Sequence, residues 1–561
     1  MNELGLRRLR FRVGSKPDQP PLQVDCPHVT VLVGPNNAGK SQTLREIEEF
    51  CCSLQPPSTV LEAVNVQIPN NSTTIIEMME VFRSKTRLDD PADAEYIRCK
   101  RPRISGSDRE QQTQIRERDF ESWIEHQDHR SIHTQFVAFF TRRLDGRTRF
   151  ELVDPKPSGD IKELAENLLW YLFVADEERK LIRNFTKEAF GKHFVIDATG
   201  MQTLRIRLSD EDPEDHIDEK CMGPETSQFM FEANDIQSLG DGVQTSVGLI
   251  SAVLSLPDRI ILVDEPEAFL HPTLARRVGR ALAETARSRQ ASLVIATHSS
   301  ELLLGCMHAT PDLRIVRLSY ESGVGSARSL EPEELTRLMH DPLLRSAHSL
   351  RALFHRGAVV CESDTDRAFY EEVNSRLIAD SRGLEDCLFM NAQNWQTIPR
   401  VVEPLRRIGV PALAIFDLDV MMHKDFWKIW PLVDLDGAAL HRLQENRAAL
   451  SSQMKAVEKK ALKQQGLITL GSKEAVAARA VLNEFAEFGV LFVPVGELES
   501  WLSDLVSPKP SKQDWLLRMF EAMGADPSAK NYVRPDKGDV WSFIETARDW
   551  IGDPSRKGMP A

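Results

Sequence analysis

The feature that most constrains this chain is a short apolar run, His28–Val33, that passes directly into Gly34-Pro35-Asn36-Asn37-Ala38-Gly39-Lys40-Ser41. The pattern G-x-x-x-x-G-K-S between a strand and a helix requires a tight turn whose backbone N–H groups wrap a polyphosphate. Lys40 meets the charge of the β and γ phosphates, and Ser41 offers a hydroxyl to Mg²⁺. Such a loop works at the edge of a β/α sheet, so the fold class it predicts is α/β.

The remainder of a triphosphate site is expected far downstream. Arg259–Val263 reads as a buried strand ending in Asp264-Glu265-Pro266. Asp264 is placed to steady the magnesium shell, and Glu265 to polarise an attacking water. Before it, Gln237–Gln244 is a Ser/Gly-rich turn opening a helix. After it, Leu293–Ala296 is a second apolar strand, ending in Thr297-His298-Ser299, where His298 could sense the γ-phosphate. Each element alone is weak, and a histidine after a strand is more often structural; four in this order are strong.

In this order the elements resemble the ABC-type ATPase heads of the SMC, RecF and OLD (overcoming lysogenization defect) families. The resemblance implies ATP and Mg²⁺, with Gly34, Asn37, Gly39, Lys40, Ser41 and Gln42 around the nucleotide and Asp264 beside the metal. It makes Glu265 the catalytic base, His298 the switch histidine and Glu267–Pro272 the D-loop. Ser238, Gly240 and Gly242 fall in the signature loop Ser238–Gln244, which departs from the transporter form and acts on the partner subunit's nucleotide. A head-to-head homodimer or higher homo-oligomer follows. No heptad pattern persists between 65 and 235, which removes the long-armed members of the group.

A second constellation begins at Gly357–Cys361, an apolar strand followed by Glu362-Ser363-Asp364-Thr365-Asp366 and a helix. About fifty residues on, Val410–Phe416 ends in Asp417-Leu418-Asp419. Carboxyl ends of adjacent parallel strands share a crevice, so Glu362, Asp417 and Asp419 should converge. Carboxylates held together repel unless a divalent cation joins them. The competing reading is that such acids only cap the helices after their strands, as Asp364 is placed to do.

This pair resembles the Toprim domain of topoisomerases, primases and OLD-family nucleases, a Rossmann-like β/α fold. The resemblance implies Glu362 as an acid/base or metal-linked residue, Asp417 and Asp419 as Mg²⁺ or Mn²⁺ ligands, and Asp366 at the later acidic position. Ser363 departs from the glycine usual after the glutamate. The ATPase-then-Toprim order is that of the OLD nucleases. There a second metal would take Glu497 and Glu499, after the strand Leu491–Val495. A lysine near the C-terminus, Lys530 or preferably Lys537, would face the transition state. Two metals about 4 Å apart clamp a scissile phosphate.

The organisation that results is an ATPase head over 1–345, with an inserted helical or dimerisation segment at about 80–190. A Toprim domain over 346–561 follows, with a charged helical hairpin, Leu440–Phe488, inserted between two strands and broken near Gly466–Gly471. Within the head, an amphipathic helix is expected near Ile161–Arg179, and Ser105–Arg118 and Asp210–Glu219 as exposed loops. At 561 residues two large domains are expected. No apolar run approaches the roughly 20 residues of a membrane span. No secretory signal is expected at the N-terminus, and the eight cysteines form no C-x-x-C pair, so reduced thiols and a cytoplasmic location are expected. A net charge of −14 argues against general polyanion coating, but not against DNA gripped by a local basic strip. Arg400/Arg406/Arg407 and Lys455/Lys459/Lys460/Lys463 are candidate strips, although solvated helix faces are the commoner meaning of such runs.

The leading expectation is an ATP-regulated, divalent-metal-dependent DNA endonuclease or nickase acting in defence against phage, as the OLD resemblance implies. A helicase, or a reverse transcriptase with a noncoding RNA, would be its system partner. The rival is a RecF-like ATP-driven DNA clamp or sensor whose Toprim fold is not catalytic. A topoisomerase would need a nucleophilic tyrosine, and none of the five tyrosines sits in a recognisable DNA-cleaving module.

Overall fold

The computed structural model describes residues 4–560 except 84–95, 105–111, 161–162, 311, 322, 331–332, 334–335, 338–339, 343, 345–348 and 507–511. The chain divides into two compact units. The first comprises Met1–Arg12, Pro21–Val33 and Gly39–Val316, and the second Val13–Pro20, Gly34–Ala38 and Arg317–Ala561. The expected boundary near 345 falls outside the described residues; the longest segments of the two units meet at Val316/Arg317.

In the first unit, β1 (Val29–Val33) precedes the phosphate loop, and α1 (Lys40–Ser53) follows it. Next come β2 (Thr141–Leu144), α2 (Asp241–Ser255), β3 (Ile260–Asp264), α3 (Pro272–Ser288) and β4 (Ser292–Ala296). The strands pair in parallel in the order β2-β3-β4-β1. β1 and β4 are buried throughout, and β3 up to its final aspartate; this is why each reads as a continuous apolar run rather than an alternation. A three-stranded antiparallel sheet of Gln23–Asp25, Gly5–Phe11 and Leu61–Gln67 completes the N-terminal part.

β2 corrects the picture of 80–190 as a separate insertion, because it lies inside that range and is an edge strand of the main sheet. Its sequence, Thr-Arg-Arg-Leu, conceals it. Arg142 is buried because Asp258 takes its Nε–H at 2.6 Å and an Arg101 Nη2–H at 3.0 Å. A charge placed so deep requires such a partner. The helix expected over Ile161–Arg179 is two helices, Leu168–Val174 and Asp176–Phe190, broken at Ala175. Asn167 caps the first by accepting from the Trp170 N–H; Ile161 itself lies outside the described residues. Part of each expected loop is also ordered: Gln112–Arg116 is a strand, and Glu219 accepts from Arg179 and Arg183.

The second unit has β5 (Gly357–Cys361), α4 (Asp364–Ala379), β6 (Cys387–Asn391), α5 (Ile398–Arg407) and β7 (Ala412–Phe416). Three helices follow, α6 (Gly437–Lys455), α7 (Lys459–Gln465) and α8 (Ser472–Ala486), and then β8 (Val490–Phe492). All four strands are parallel, in the order β6-β5-β7-β8. The helical segment between β7 and β8 is the insertion anticipated from the charged, alanine-rich stretch. Phe369, Tyr370, Trp501, Trp515 and Trp541 pack in the core of this unit. All eight cysteines are free thiols, and burial pushes those of Cys26, Cys99 and Cys306 up to about 12. No helix among the described residues is long and apolar enough to cross a membrane.

Candidate active sites

In the first unit, strand register sets the geometry. Asp264 is level with Ala296, and Ala296 with Leu32, so the residues just beyond each strand emerge at one sheet edge. There the Ser41 hydroxyl donates to Asp264 Oδ1 at 2.9 Å. The hydroxyl and the carboxylate assigned to one magnesium ion are thus already in contact. The phosphate loop has Gly34 at φ 140°, Asn37 at 61° and Gly39 at 92°. Such positive-φ turns point successive N–H groups inward as an anion nest. Lys40 is buried at the start of α1. Within the first unit, Lys40, Ser41 and Asp264 are of the kind that suits a magnesium-bound triphosphate.

Glu265 has φ 48°, an unfavourable left-handed conformation for a glutamate that the surrounding structure holds in place. His298 Nε2 lies 3.4 Å from Glu265 Oε1. The His298 N–H donates to Glu267 Oε1 at 2.6 Å. Burial raises the Asp264 carboxyl above its ordinary range, with Ser41, Arg143 and Arg149 pulling the other way.

Arg149, on the short helix Thr148–Glu151, escaped the sequence reading. It is 1% exposed, donates to the Asp264 carbonyl, and sits in the field of Glu267, Glu265 and Asp264. Nothing in Asp145-Gly-Arg-Thr-Arg149 distinguishes it from a surface turn. The signature residues Ser238 and Gly240 are exposed, and Gly240 caps α2. Gln42 donates to Glu46 at 3.4 Å.

In the second unit, β5 and β7 align Val360 with Ala414, and β7 and β8 align Phe416 with Phe492. Beyond the strands, Val493 N–H donates to Phe416 O and Leu418 N–H to Gly496 O, each at 2.9 Å. This brings Glu362, the Asp417–Asp419 pair and Glu497 to one edge. Burial pushes the Cys361 thiol and the Tyr370 phenol well up, and the charges of Asp366 and Asp417 add to both shifts. The two aspartates therefore flank the same place. Asp366 also has a structural task. Its Oδ2 accepts from the Ser363 N–H and hydroxyl at 2.9 and 2.7 Å, closing a capping box on α4. Ser363, the departure from glycine, is the residue that makes this cap.

The unforeseen member of the cluster is Lys463, on α7. Its Nζ lies 3.0 Å from Glu497 Oε2 and 3.5 Å from Asp419 Oδ2. Burial would lower its pKa, but the bond to Glu497 and the charges of Asp419, Glu497 and Asp417 outweigh that and raise it. Two glycines let α7 come so close. A Cβ on Gly496, at φ 110°, would stand 2.2 Å from Lys463 O, and one on Gly466, at φ 57°, would stand 2.1 Å from Pro494 O. Lys463 is thus removed from the basic strip in which its sequence neighbours placed it, whereas Lys455, Lys459 and Lys460 are exposed.

The other strip dissolves too. Arg406 is 2% exposed and donates to the carbonyls of Ala412, Leu432, Gly558, Phe488 and Gly489. Lys537 and Lys530 are exposed, and no described ion pair joins either to the carboxylates. Glu499 is buried in the turn Leu498–Ser500.

Among the described residues, no three His, Cys, Asp or Glu side chains are set to hold a metal ion as they stand. The chemistry of the donors nonetheless fits a hard divalent cation. Three carboxylates act on one cationic point, and that point is an ammonium.

The first edge and its sheet define a P-loop ATPase unit. Comparison with known proteins agrees: the family described as "AAA domain, putative AbiEii toxin, Type IV TA system" matches residues 29–304. The chain as a whole is similar to the OLD nuclease of Thermus scotoductus (strain ATCC 700910 / SA-01). It is 22% identical over 452 residues, covering 74% of this chain and 81% of that protein. The resemblance to OLD nucleases read from the motifs thus holds over more of the chain than the first unit alone. Among solved structures, an SMC head bound to the C-winged helix domain of ScpA is 12% identical, covering 59% of this chain and 99% of its own, with a TM-score of 0.35. The SMC head domain from Thermotoga maritima is 14% identical, covering 58% and 99%, with a TM-score of 0.30. At such scores these likenesses add no argument, and the α/β class rests on the sheets themselves.

Proposed function

We propose that the protein is an ATP-regulated, divalent-metal-dependent DNA endonuclease or nickase, with a P-loop ATPase in the first unit and a Toprim-type nuclease site in the second. The observation that carries this reading is that Asp419 and Glu497 both lie within 3.5 Å of the Lys463 ammonium at a parallel sheet edge, with Asp417 adding to its field and Glu362 at the end of the neighbouring strand. Glu362, Asp417, Asp419 and Glu497 would hold Mg²⁺ or Mn²⁺. When bound, the metal supplies positive charge against a scissile phosphate and lowers the pKa of an attacking water. Lys463 neutralises the carboxylates until the metal arrives. Once displaced, its ammonium is free to pair with the phosphate.

In the ATPase, Lys40 and the loop N–H groups hold the triphosphate, Ser41 and Asp264 hold magnesium, and Glu265 orients water under the eye of His298. The exposed Ser238–Gln244 loop would complete a second copy's nucleotide in a homodimer. Nucleotide then regulates cleavage to the extent that it favours the closed dimer.

Plasmid DNA incubated with Mg²⁺ or Mn²⁺, with and without ATP, tests the proposal. Nicking or cutting is expected, and Asp417→Ala should abolish it. Cutting that survives loss of both Asp417 and Asp419 removes the nuclease from this site. One observation favours the rival DNA clamp: the carboxylates as they stand are held by a lysine, not gathered for metal. That reading predicts DNA binding without scission in the same assay. Antiphage defence is the setting we propose on the resemblance to OLD nucleases; plaque counts on cells expressing the wild type or Asp417→Ala test it.

A further inference from the structure

A cavity of about 210 Å³ lies wholly within the second unit, and its walls carry Lys16, Arg317, Arg328, Arg356 and Arg556 against two carboxylates, Glu321 and Asp18. Asp18 is exposed, Glu321 is the half-buried carboxylate of the lining, and Glu385, outside the lining, lies 3.9 Å from Arg356. Lys16, Arg317 and Arg556 donate chiefly to neutral carbonyls. Lys16 Nζ donates to Met559 O at 3.0 Å. Arg317 donates to Gly409 O at 2.8 Å and His355 O at 2.9 Å. Arg556 donates to Trp550 O and Ile551 O, and only at 3.5 Å approaches Glu321. Carbonyl dipoles satisfy hydrogen bonds but bring no net charge. Arg317 is 4% exposed, and its buried Nε–H has no acceptor among the described residues.

We propose that this cavity is a binding site for a small phosphate-type dianion, inorganic phosphate or pyrophosphate, separate from the carboxylate site and bordering the phosphate loop only through Pro35. Buried guanidinium groups crowded together with too little negative charge are costly, and an oxyanion relieves that cost through charge-assisted bonds. The crowding is visible at Arg317. Burial first, then Arg556 and Arg328, push its pKa down to about 10. Burial pushes the Glu321 carboxyl up, against the pull of Arg556, Arg356 and Arg317. The cavity is smaller than the roughly 300 Å³ at which sites for drug-sized ligands begin. That suits one or two phosphoryl groups. The hydroxyls of Ser319 and Ser326, 2.6 Å apart, line the same space and add neutral donors.

The test uses the full chain carrying Lys40→Ala, so that the phosphate loop does not itself take the anion. Inorganic phosphate and pyrophosphate are titrated while thermal unfolding is followed. Near saturation a rise in Tm of about 2–4 °C is expected. Arg356→Gln and Arg328→Gln, both at half-buried positions, should each weaken binding about tenfold, the size of a lost charged hydrogen bond. Arg317→Met should remove it, although that variant could fail to fold, so the first two decide. A 5′-phosphorylated oligonucleotide competing better than its 5′-hydroxyl twin would assign the phosphate to a DNA end and overturn the free anion. No stabilisation by either anion, or stabilisation equal in Arg356→Gln and Arg328→Gln, would overturn the site altogether.

Discussion

Replacing Lys463 by methionine should tighten metal binding at the second edge. The ammonium stands 3.0 Å from Glu497 and 3.5 Å from Asp419, where any metal taking those oxygens must displace it. Its side chain is 36% exposed, so bare Coulomb energies overstate the pairs. After solvent screening, each contributes about 0.5–1 kcal/mol. Two pairs give about 1–2 kcal/mol that metal no longer has to overcome, which is a dissociation constant roughly 5–30-fold lower. Mn²⁺ binding to Lys463→Met, followed by titration calorimetry or by the EPR signal of free Mn²⁺, reads this directly and does not depend on cleavage. Lys463→Arg keeps the charge and should stay near wild type, while Asp419→Ala should bind more weakly than either. In metal-free buffer Lys463→Met should also melt lower, because the carboxylates then repel one another, and added Mn²⁺ should restore it. If Lys463→Met binds Mn²⁺ no more tightly than wild type, Lys463 does not hold the metal's place, and the carboxylates lose their claim to be a metal site.

Three further outcomes are expected. Glu265→Gln should bind ATP but hydrolyse it at least about 100-fold more slowly in a phosphate-release assay, because a carboxamide cannot take the proton from water. Glu46, 1% exposed, accepts from the N–H groups of Thr59, Val60 and Leu61. Burial raises its pKa, but those donors outweigh burial and hold it below the usual range. The stability it adds is complete above the unfolded glutamate pKa of about 4.3 and is lost as pH falls through the lower folded value. Urea melts of Glu46→Gln should therefore show a deficit of about 1–2 kcal/mol at pH 7 that shrinks below about pH 4. Arg406→Lys leaves at least two of five buried carbonyls without a donor, since an ammonium has three hydrogens. A loss of about 2–4 kcal/mol is expected in chemical denaturation, and a loss below about 1 kcal/mol would show that the carbonyls find other donors.

What could be read from the sequence follows a physical line. The phosphate loop, Asp264-Glu265 and Asp417-Leu418-Asp419 were legible because each stands at the end of an apolar run that can only be a buried parallel strand, and parallel pairing carries strand ends to a common edge. β2 was not, because two of its four residues are arginines, and a charged strand is intelligible only with Asp258 in view. Arg149 and Arg406 were missed, or taken for surface, on the same ground. Guanidinium groups buried against backbone carbonyls leave no sign in the sequence, since the acceptors are present at every residue.

Lys463 shows the limit most clearly. It sits among Lys459, Lys460 and Gln464 in a helix that reads as solvated on every side. Its inward position is set 33 residues away by Gly496, where any side chain would collide with the Lys463 carbonyl. The site's cation was therefore legible only jointly, as a lysine on an inserted helix and a glycine beside the last acidic residue. That coupling is itself a testable claim about the site. Gly496→Ala should force α7 away, separate Lys463 from Glu497 and Asp419, and tighten Mn²⁺ binding as Lys463→Met does, with the Leu418–Gly496 backbone hydrogen bond left to hold the strand ends together. A Gly496→Ala chain that folds and binds Mn²⁺ with wild-type affinity would show that close backbone approach is not what holds the ammonium over the carboxylates.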